Sequence, residues 1–477
     1  MTKSEIVAGL REIGLSTGDK VLLHSSLYSL GNVDGGADAV IDAFLEVLGS
    51  QGTLLVPVFG ALGIITETLK KRPEAVISTA PVGTLAAIGA DAETLCLDHW
   101  QAETAHGENT PFTRLAEMDG YVCLLGCDQD RNTSLHSVEA LLRLPYMNTA
   151  TTTFKTPEGN EITKDWPYYP GPHRDFIGLD HCFLESGAMK ISRIGNAQVR
   201  LIKSQDLLDI GLAIGSEDPA FVLCDNPACA DCVKQRAAIF ADRMSCESFK
   251  LTASAKLAGR YVPEIVEKLS EVGINLIELD YVQGKACAFM TAEKLQRIAA
   301  ELRENGIEIS ALGAEVVPDA PEKLTDLAKA AGIDRLILPA GAVAAAEYAV
   351  KNGLAVSFRN INHTALALAS AVNEFKKHNE CSVCFNPAAF VKAGEHPFLY
   401  SYRAGRFIKS IGQLDVVDAL WDGSSTLLAY GNGEIKELIS ILRCHNYSGC
   451  LCLGGGTGYP GSLKEAADEL IFLLDNM

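Results

Sequence analysis

From about residue 246 to the end of the chain, short apolar runs recur at close intervals, and each is followed by a segment of helical spacing. The runs are 248–252, "NLIELD" (275–280), "EISALG" (308–313), "RLILPA" (335–340), "AVSFRN" (355–360), "CSVCFN" (381–386), "SIGQLDVVD" (410–418) and "GCLCLG" (449–454). Eight strand–helix units in about 230 residues constrain the fold strongly. They predict a (β/α)8 barrel. The boundary is expected near 245, with residues 1–245 forming one domain and residues 246–477 the other.

The first half alternates strands and helices less regularly. "SEIVAGLREIG" has Ser4 as its expected N-cap and a helical stripe of Ile6, Leu10 and Ile13. "KVLLHSSL" reads as a buried strand entering a loop. "GADAVIDAFLEVLG" (36–49) is an amphipathic helix stopped by Gly49. "GTLLVPVF" and "GYVCLLGC" (120–127) are further buried strands, and Cys127 at the end of the second is expected in the core. "TTTFKTPEGNEITK" (151–164) predicts a hairpin turning at Pro157–Asn160. The expected class is therefore α/β throughout, with an antiparallel addition in the first half.

Charge narrows the partners. The formal net charge is −19. So acidic a surface repels phosphate backbones and argues against nucleic acid, while suiting a cationic substrate. The N-terminus lacks the basic-then-apolar pattern of a secretion signal. The apolar stretch "LLVPVFGALGII" (54–65) is too short to span a membrane. The expectation is a cytoplasmic protein whose 14 cysteines are reduced.

The stretch "NTSLHSVEALLR" (132–143) carries the polar groups with most chemical content. Thr133, His136 and Glu139 follow at three-residue spacing. On a helix each step drifts by about 60°, so all three can share one side. An imidazole with an ordinary pKa near 6.5 takes a proton near neutral pH, and a carboxylate one turn away can fix its tautomer. The alternative is a histidine satisfied by its neighbours at a helix N-terminus.

These residues also carry a resemblance. "VLLHSSLYSLGNVDGGADAVIDAFLEVLGSQGTLLVPVF", "ENTPFTRLAEMDGYVCLLGCDQDRNTSLHSVE" and residues 175–212 resemble the aminoglycoside 3-N-acetyltransferase family, over roughly residues 3–236. The resemblance implies an acetyl-CoA-dependent N-acetyltransferase acting on an aminoglycoside, amino sugar or related amine, as in antibiotic resistance. It implies His136 as general base, supported by Glu139 and Thr133. It places the coenzyme at Ser25, Ser26, Leu27, Gly35 and Gly36. A second candidate is Thr79, Val82, Gly83 and Thr84, read as opening another helix. Ordinary strand-to-helix turns are the alternative for both. Between 95 and 112 the family's Arg-Ser and His-Pro pairs are missing, so the acceptor is left open; His99 and His106 in that segment are expected at the surface.

Cys224, Cys229 and Cys232 include a Cys-x2-Cys pair of the kind that suits zinc. A structural site takes four ligands and no fourth is evident nearby, so reduced thiols are the expectation and structural zinc the alternative.

The second half resembles the xylose-isomerase-like barrels, best at "GINLIELD" and "YGNGEIKELISILRCHNYSGCLCLG". That resemblance implies a divalent metal held at the strand ends. Position by position, the family's ligands fall on Arg359, Asn386, Ala389, Asp415 and Gly454, leaving only Asp418 matched. A barrel without the family's catalytic metal is therefore expected. Arg359, Asn362, His363, Asn386 and Asp415 are candidates for a polar sugar or anion pocket, and "GGGTGYPG" (454–461) for a phosphate-binding loop. The competing functions are a sugar- or phosphate-binding scaffold with a degenerate barrel, and transfer from another acyl-CoA to a biosynthetic amine.

Overall fold

The computed structural model describes residues 1–477 apart from 61, 172–174, 227, 362, 376–380 and 457; the side chain of residue 374 is also outside the description. The chain divides into two compact units, Met1–Gln235 and Arg236–Met477. That division falls within the helix Ala230–Ser245, about ten residues before the boundary expected near 245.

The first unit is built on a seven-stranded sheet. Its strands are β1 (Lys20–Ser25), β2 (Thr53–Pro57), β3 (Val76–Ile77), β4 (Leu85–Gly89), β5 (Tyr121–Leu125), β8 (Met189–Ile194) and β9 (Ala197–Lys203), in the order β3-β4-β2-β1-β5-β9-β8. A separate hairpin of β6 (Asn148–Lys155) and β7 (Glu161–Tyr168) turns where the sequence predicts. β1 pairs in parallel with both β2 and β5, and the flanking pairs are antiparallel. The continuous apolar runs follow from burial on both faces. Val21, Leu23, Leu54 and Val56 pack on one side with Ile6, Leu10, Val40 and Phe44. Leu22 and Leu55 pack on the other with Leu95, Phe112 and Leu115.

Two local expectations are corrected. The first helix starts two residues earlier than Ser4 implies. Its N-cap is Thr2, whose side chain and backbone exchange hydrogen bonds with Glu5 in a capping box. The segment after Gly83 is also not a helix. Leu85–Gly89 is strand β4, paired antiparallel with β2 from Thr53↔Gly89 to Pro57↔Leu85. A short, fully buried apolar run has no periodicity that separates strand from helix, and here pairing along β2 decides.

The second unit is a closed barrel of eight parallel strands: Lys250–Ser254, Leu276–Leu279, Glu308–Gly313, Arg335–Pro339, Ala355–Arg359, Cys381–Phe385, Ile411–Val416 and Cys450–Leu453. The last pairs with the first and closes the ring. Along each strand, residues such as Leu279, Phe358 and Leu414 join the apolar layer shared with the helices. Their neighbours turn inward, and many are polar: Thr252, Glu278, Ser357, Arg359, Gln413 and Asp415 are all buried. Among the described residues no helix is long and apolar enough to cross a membrane.

Candidate active site

In the first unit the sheet order places β2 and β5 on opposite sides of β1, so the chain reverses direction across the sheet at β1. In α/β folds the loops at the carboxyl ends of the strands beside such a reversal form a crevice. The loop after β1 and the loop after β5 meet there. Ser26 N–H donates to the Leu125 carbonyl at 2.9 Å, and the Ser29 hydroxyl donates to Gly126 O at 2.9 Å. Gly126 is required by this approach: its φ is +71°, and a Cβ would stand 2.6 Å from Ser29 Cβ.

The β5 loop leads into the short helix Leu135–Leu141, which carries His136 and Glu139. Nδ1 of His136 lies 2.6 Å from Glu139 Oε2. Glu139 is completely buried, and its other oxygen accepts from the Tyr146 hydroxyl at 2.8 Å. Tyr146 packs edge-on against Tyr169, whose hydroxyl donates to Leu144 O. The carboxylate is thus held by groups that leave it facing the imidazole. With Nδ1 engaged, Nε2 is the nitrogen left toward the cavity, on the side of Gly171, where a Cβ would be 3.5 Å away. Thr133 accepts from the His136 amide through its carbonyl.

Two cavities meet at this point. One, of about 460 Å³, is walled by His136, Thr133, His106, Val82, Gly83, Phe176 and the β7 end. The other, of about 480 Å³, is walled by Ser25, Ser26, Leu27, His24 and Cys127. Leu62, Arg131 and Thr133 line both. A third hollow of about 550 Å³ lies beside them and shares Tyr169; the 95–112 segment gives it Asp98, Glu103 and Glu108.

The structure therefore assembles most of the residues nominated from sequence, on two walls. Gly35 and Gly36 do not line either of the two cavities; they shape the start of the helix Gly36–Leu48 with positive φ values of 85° and 59°. Thr79 and Thr84 stand behind Val82 and Gly83, and Thr84 bonds the Ala80 carbonyl. Cys127, expected in the core, is half-buried on the cavity wall, and burial pushes its thiol up to about 12. His99 and His106, expected at the surface, are buried. His99 is satisfied by Ser78 Oγ and the Ala105 carbonyl, and desolvation pulls it down to about 4. His106 stands against His136, with ring centroids 5.3 Å apart. Both are drawn inward by partners distant in sequence, Ser78 for His99 and Phe59 and His136 for His106, which a local reading does not reveal. Tyr146, Arg131 and Phe176 carry no motif signal; only their position in space marks them.

The thiols of Cys224, Cys229 and Cys232 come within 4.8 Å of one another. A backbone N–H at Cys232 pulls Cys229 down, while burial pushes Cys232 up to about 12.

In the barrel, Arg359 occupies the space between two carboxylates. It donates in fork geometry to both oxygens of Glu278 at 2.8 and 2.7 Å, and to both oxygens of Asp415 at 2.7 and 2.9 Å. Asn386 and Gln413 complete the network. Burial opposes ionisation of Glu278, and the guanidinium overcomes it, holding the carboxyl below its usual range. The expected pocket is therefore a filled one. Arg359, Asn386 and Asp415 are consumed by each other, and Asn362 lies outside the described residues. Asp418 is turned to loop support, accepting from the amides of Gly431, Gly433 and Ala419. The glycine run packs on the network. Gly455 O accepts from Asn386, and a Cβ on Gly456 would be 2.7 Å from Asn386 Nδ2. Close approach to these side chains accounts for those glycines.

A histidine backed by a buried carboxylate thus stands beside the carboxyl ends of the parallel strands β1 and β5 in a mixed sheet. The aminoglycoside 3-N-acetyltransferase family model matches residues 22–61 and 59–214. Aminoglycoside N(3)-acetyltransferase IV of Salmonella sp is 29% identical over 247 residues, 46% of this chain and 90% of that protein. Aminoglycoside N(3)-acetyltransferase VII of Streptomyces paromomycinus is 33% identical over 181 residues, 30% of this chain and 62% of that protein. Similar solved structures include an AAC(3)-IVa mutant in complex with apramycin, with 27% identity, TM-score 0.44 and coverage of 49% of this chain and 98% of that one. Another is AAC-IIIb in a binary complex with CoASH, with 24% identity, TM-score 0.42 and coverage of 46% and 97%. Over residues 22–214 the chain is similar to the aminoglycoside 3-N-acetyltransferases, and these homologues support an N-acetyltransferase.

Proposed function

We propose that the first unit transfers an acetyl group from acetyl-CoA to an amine, on an aminoglycoside, amino sugar or related acceptor, with His136 as general base. The observation that carries this reading is the His136–Glu139 pair at the junction of two cavities. One cavity is lined by the Ser25–Leu27 loop, which suits the pantetheine arm. The other receives the acceptor. A thioester lying across Thr133 then faces an amine beside His136 Nε2. As the amine nitrogen bonds to the acetyl carbonyl carbon, Nε2 takes its proton, and the same proton returns to the sulfur when the C–S bond breaks. Glu139 holds the tautomer and stabilises the imidazolium; Thr133 supports the reacting carbonyl. The high pKa of the Cys127 thiol argues against a covalent acyl-cysteine.

A panel of amines incubated with acetyl-CoA, read by mass spectrometry of acetylated products, tests the activity. His136→Ala should lower turnover by at least about 10²-fold and leave coenzyme binding intact; turnover retained by that variant removes the assignment.

The second unit reads best as a xylose-isomerase-like barrel without that family's metal chemistry. Arg359 places a fixed positive charge between the carboxylates that a cation would need. With those polar groups satisfied by one another, the barrel then acts as a scaffold. Stoichiometric manganese or zinc bound beside Arg359 would overturn this.

A further inference from the structure

Acyl transfer leaves several polar groups of the acceptor cavity unused, Asp130, Arg131, Asn132, Tyr168 and His106 among them, and His106 is the buried one whose ring nitrogens have no partner among the described residues. It is 5% exposed, yet it lines the cavity beside His136. Its ring is packed by Phe112 at 5.0 Å, His136 at 5.3 Å and Phe59 at 6.4 Å between centroids. Among the described residues neither Nδ1 nor Nε2 has a hydrogen-bond partner. In an aromatic surround an apolar ring would leave no polar atom unpaired. A buried imidazole with two empty hydrogen-bonding positions is costly unless something else fills them. Nε2 points toward Gly83, on the cavity wall, where a Cβ would be 3.3 Å away. Burial, reinforced by His136, holds the ring well below the usual histidine range, so it stays neutral and offers one donor and one acceptor. That pair of functions matches a hydroxyl, which also donates and accepts.

We infer that His106 is a specificity-determining residue that hydrogen-bonds an oxygen on the carbon next to the reacting amine, making vicinal amino alcohols the acceptor class. The two imidazoles stand side by side, and heteroatoms on adjacent carbons lie close enough for each to reach one ring. His136 takes the amine proton; His106 reads the neighbouring hydroxyl.

This rests on the N-acetyltransferase reading, and the test separates the two. Acetylation of trans-2-aminocyclohexanol and of cyclohexylamine is followed by release of the coenzyme thiol, for the wild type, His106→Phe and His106→Asn. The wild type should favour the amino alcohol in kcat/KM by about tenfold or more, because a site built for a hydroxyl rejects its absence. His106→Phe should bring the ratio close to one, through KM, with coenzyme affinity and the pH midpoint of kcat unchanged. His106→Asn, which keeps a donor and an acceptor, should restore part of it. A ratio preserved in His106→Phe, or absent in the wild type, overturns the inference while leaving the transferase reading standing. If the wild type acetylates no amine in this pair or in the wider panel, the transferase reading fails and this inference falls with it.

Discussion

Glu139 Oε2 lies 2.6 Å from His136 Nδ1, and the carboxylate that makes this contact is wholly buried. Removing its charge while keeping its shape should therefore strike the chemistry and spare binding. Glu139→Gln is expected to lower kcat by about 10²–10⁴-fold, the range for a misoriented general base. Acetyl-CoA affinity, measured by calorimetry, should stay within error. A parallel loss of affinity would mean that Glu139 shapes the coenzyme wall instead.

Gly126 ties the two loops of the crevice together. Gly126→Ala forces a residue with a Cβ into a φ of +71° and drives that atom against Ser29. A loss of about 1–3 kcal/mol in stability is expected from the strain. The displaced Ser25–Leu27 loop should raise the dissociation constant for acetyl-CoA. A variant with unchanged coenzyme affinity would place the coenzyme elsewhere.

Burial alone pulls His24 down to about 3, and desolvation is the largest cause for His99 at about 4. Both must be neutral in the folded unit, whereas in the unfolded chain they titrate near 6.5. Between these values the unfolded chain binds more protons. Stability is then fully present above about pH 6.5 and falls as the pH drops, by up to about 1.4 kcal/mol per unit for each histidine. Urea midpoints at pH 7.5, 6.5 and 5.5 check the slope. His24→Leu should flatten it, and an unchanged slope would acquit His24.

Arg359 compensates two buried carboxylates in the barrel. Arg359→Met leaves them facing each other and should cost about 3–5 kcal/mol. The triple change Arg359→Met, Glu278→Gln, Asp415→Asn removes all three charges and should recover most of that loss. Denaturation followed on the full chain distinguishes these outcomes; a stable single variant would mean that water reaches the site.

The eight barrel strands are legible because each is a local burial pattern: an apolar run of strand length beside a helical stripe. So is the His136–Glu139 pairing, since its spacing is one helical turn. The strand Leu85–Gly89 was not legible, because Leu-Ala-Ala-Ile buried on both faces reads equally as helix. His106 was not legible either. A histidine in a polar segment carries no local sign that Phe59 and His136, distant in sequence, bury its ring.

The sequence by itself determined the α/β character of both halves, the eightfold repeat, and the histidine–carboxylate couple. These depend on periodicity and on neighbours within one turn. Only the tertiary structure decided that two cavities meet at Thr133, that His106 stands beside His136, and that Arg359 spans to Glu278, 81 residues away, and to Asp415, 56 residues away. Such contacts exist only once a sheet is ordered or a barrel is closed, since closure brings distant strand ends within hydrogen-bond reach of each other.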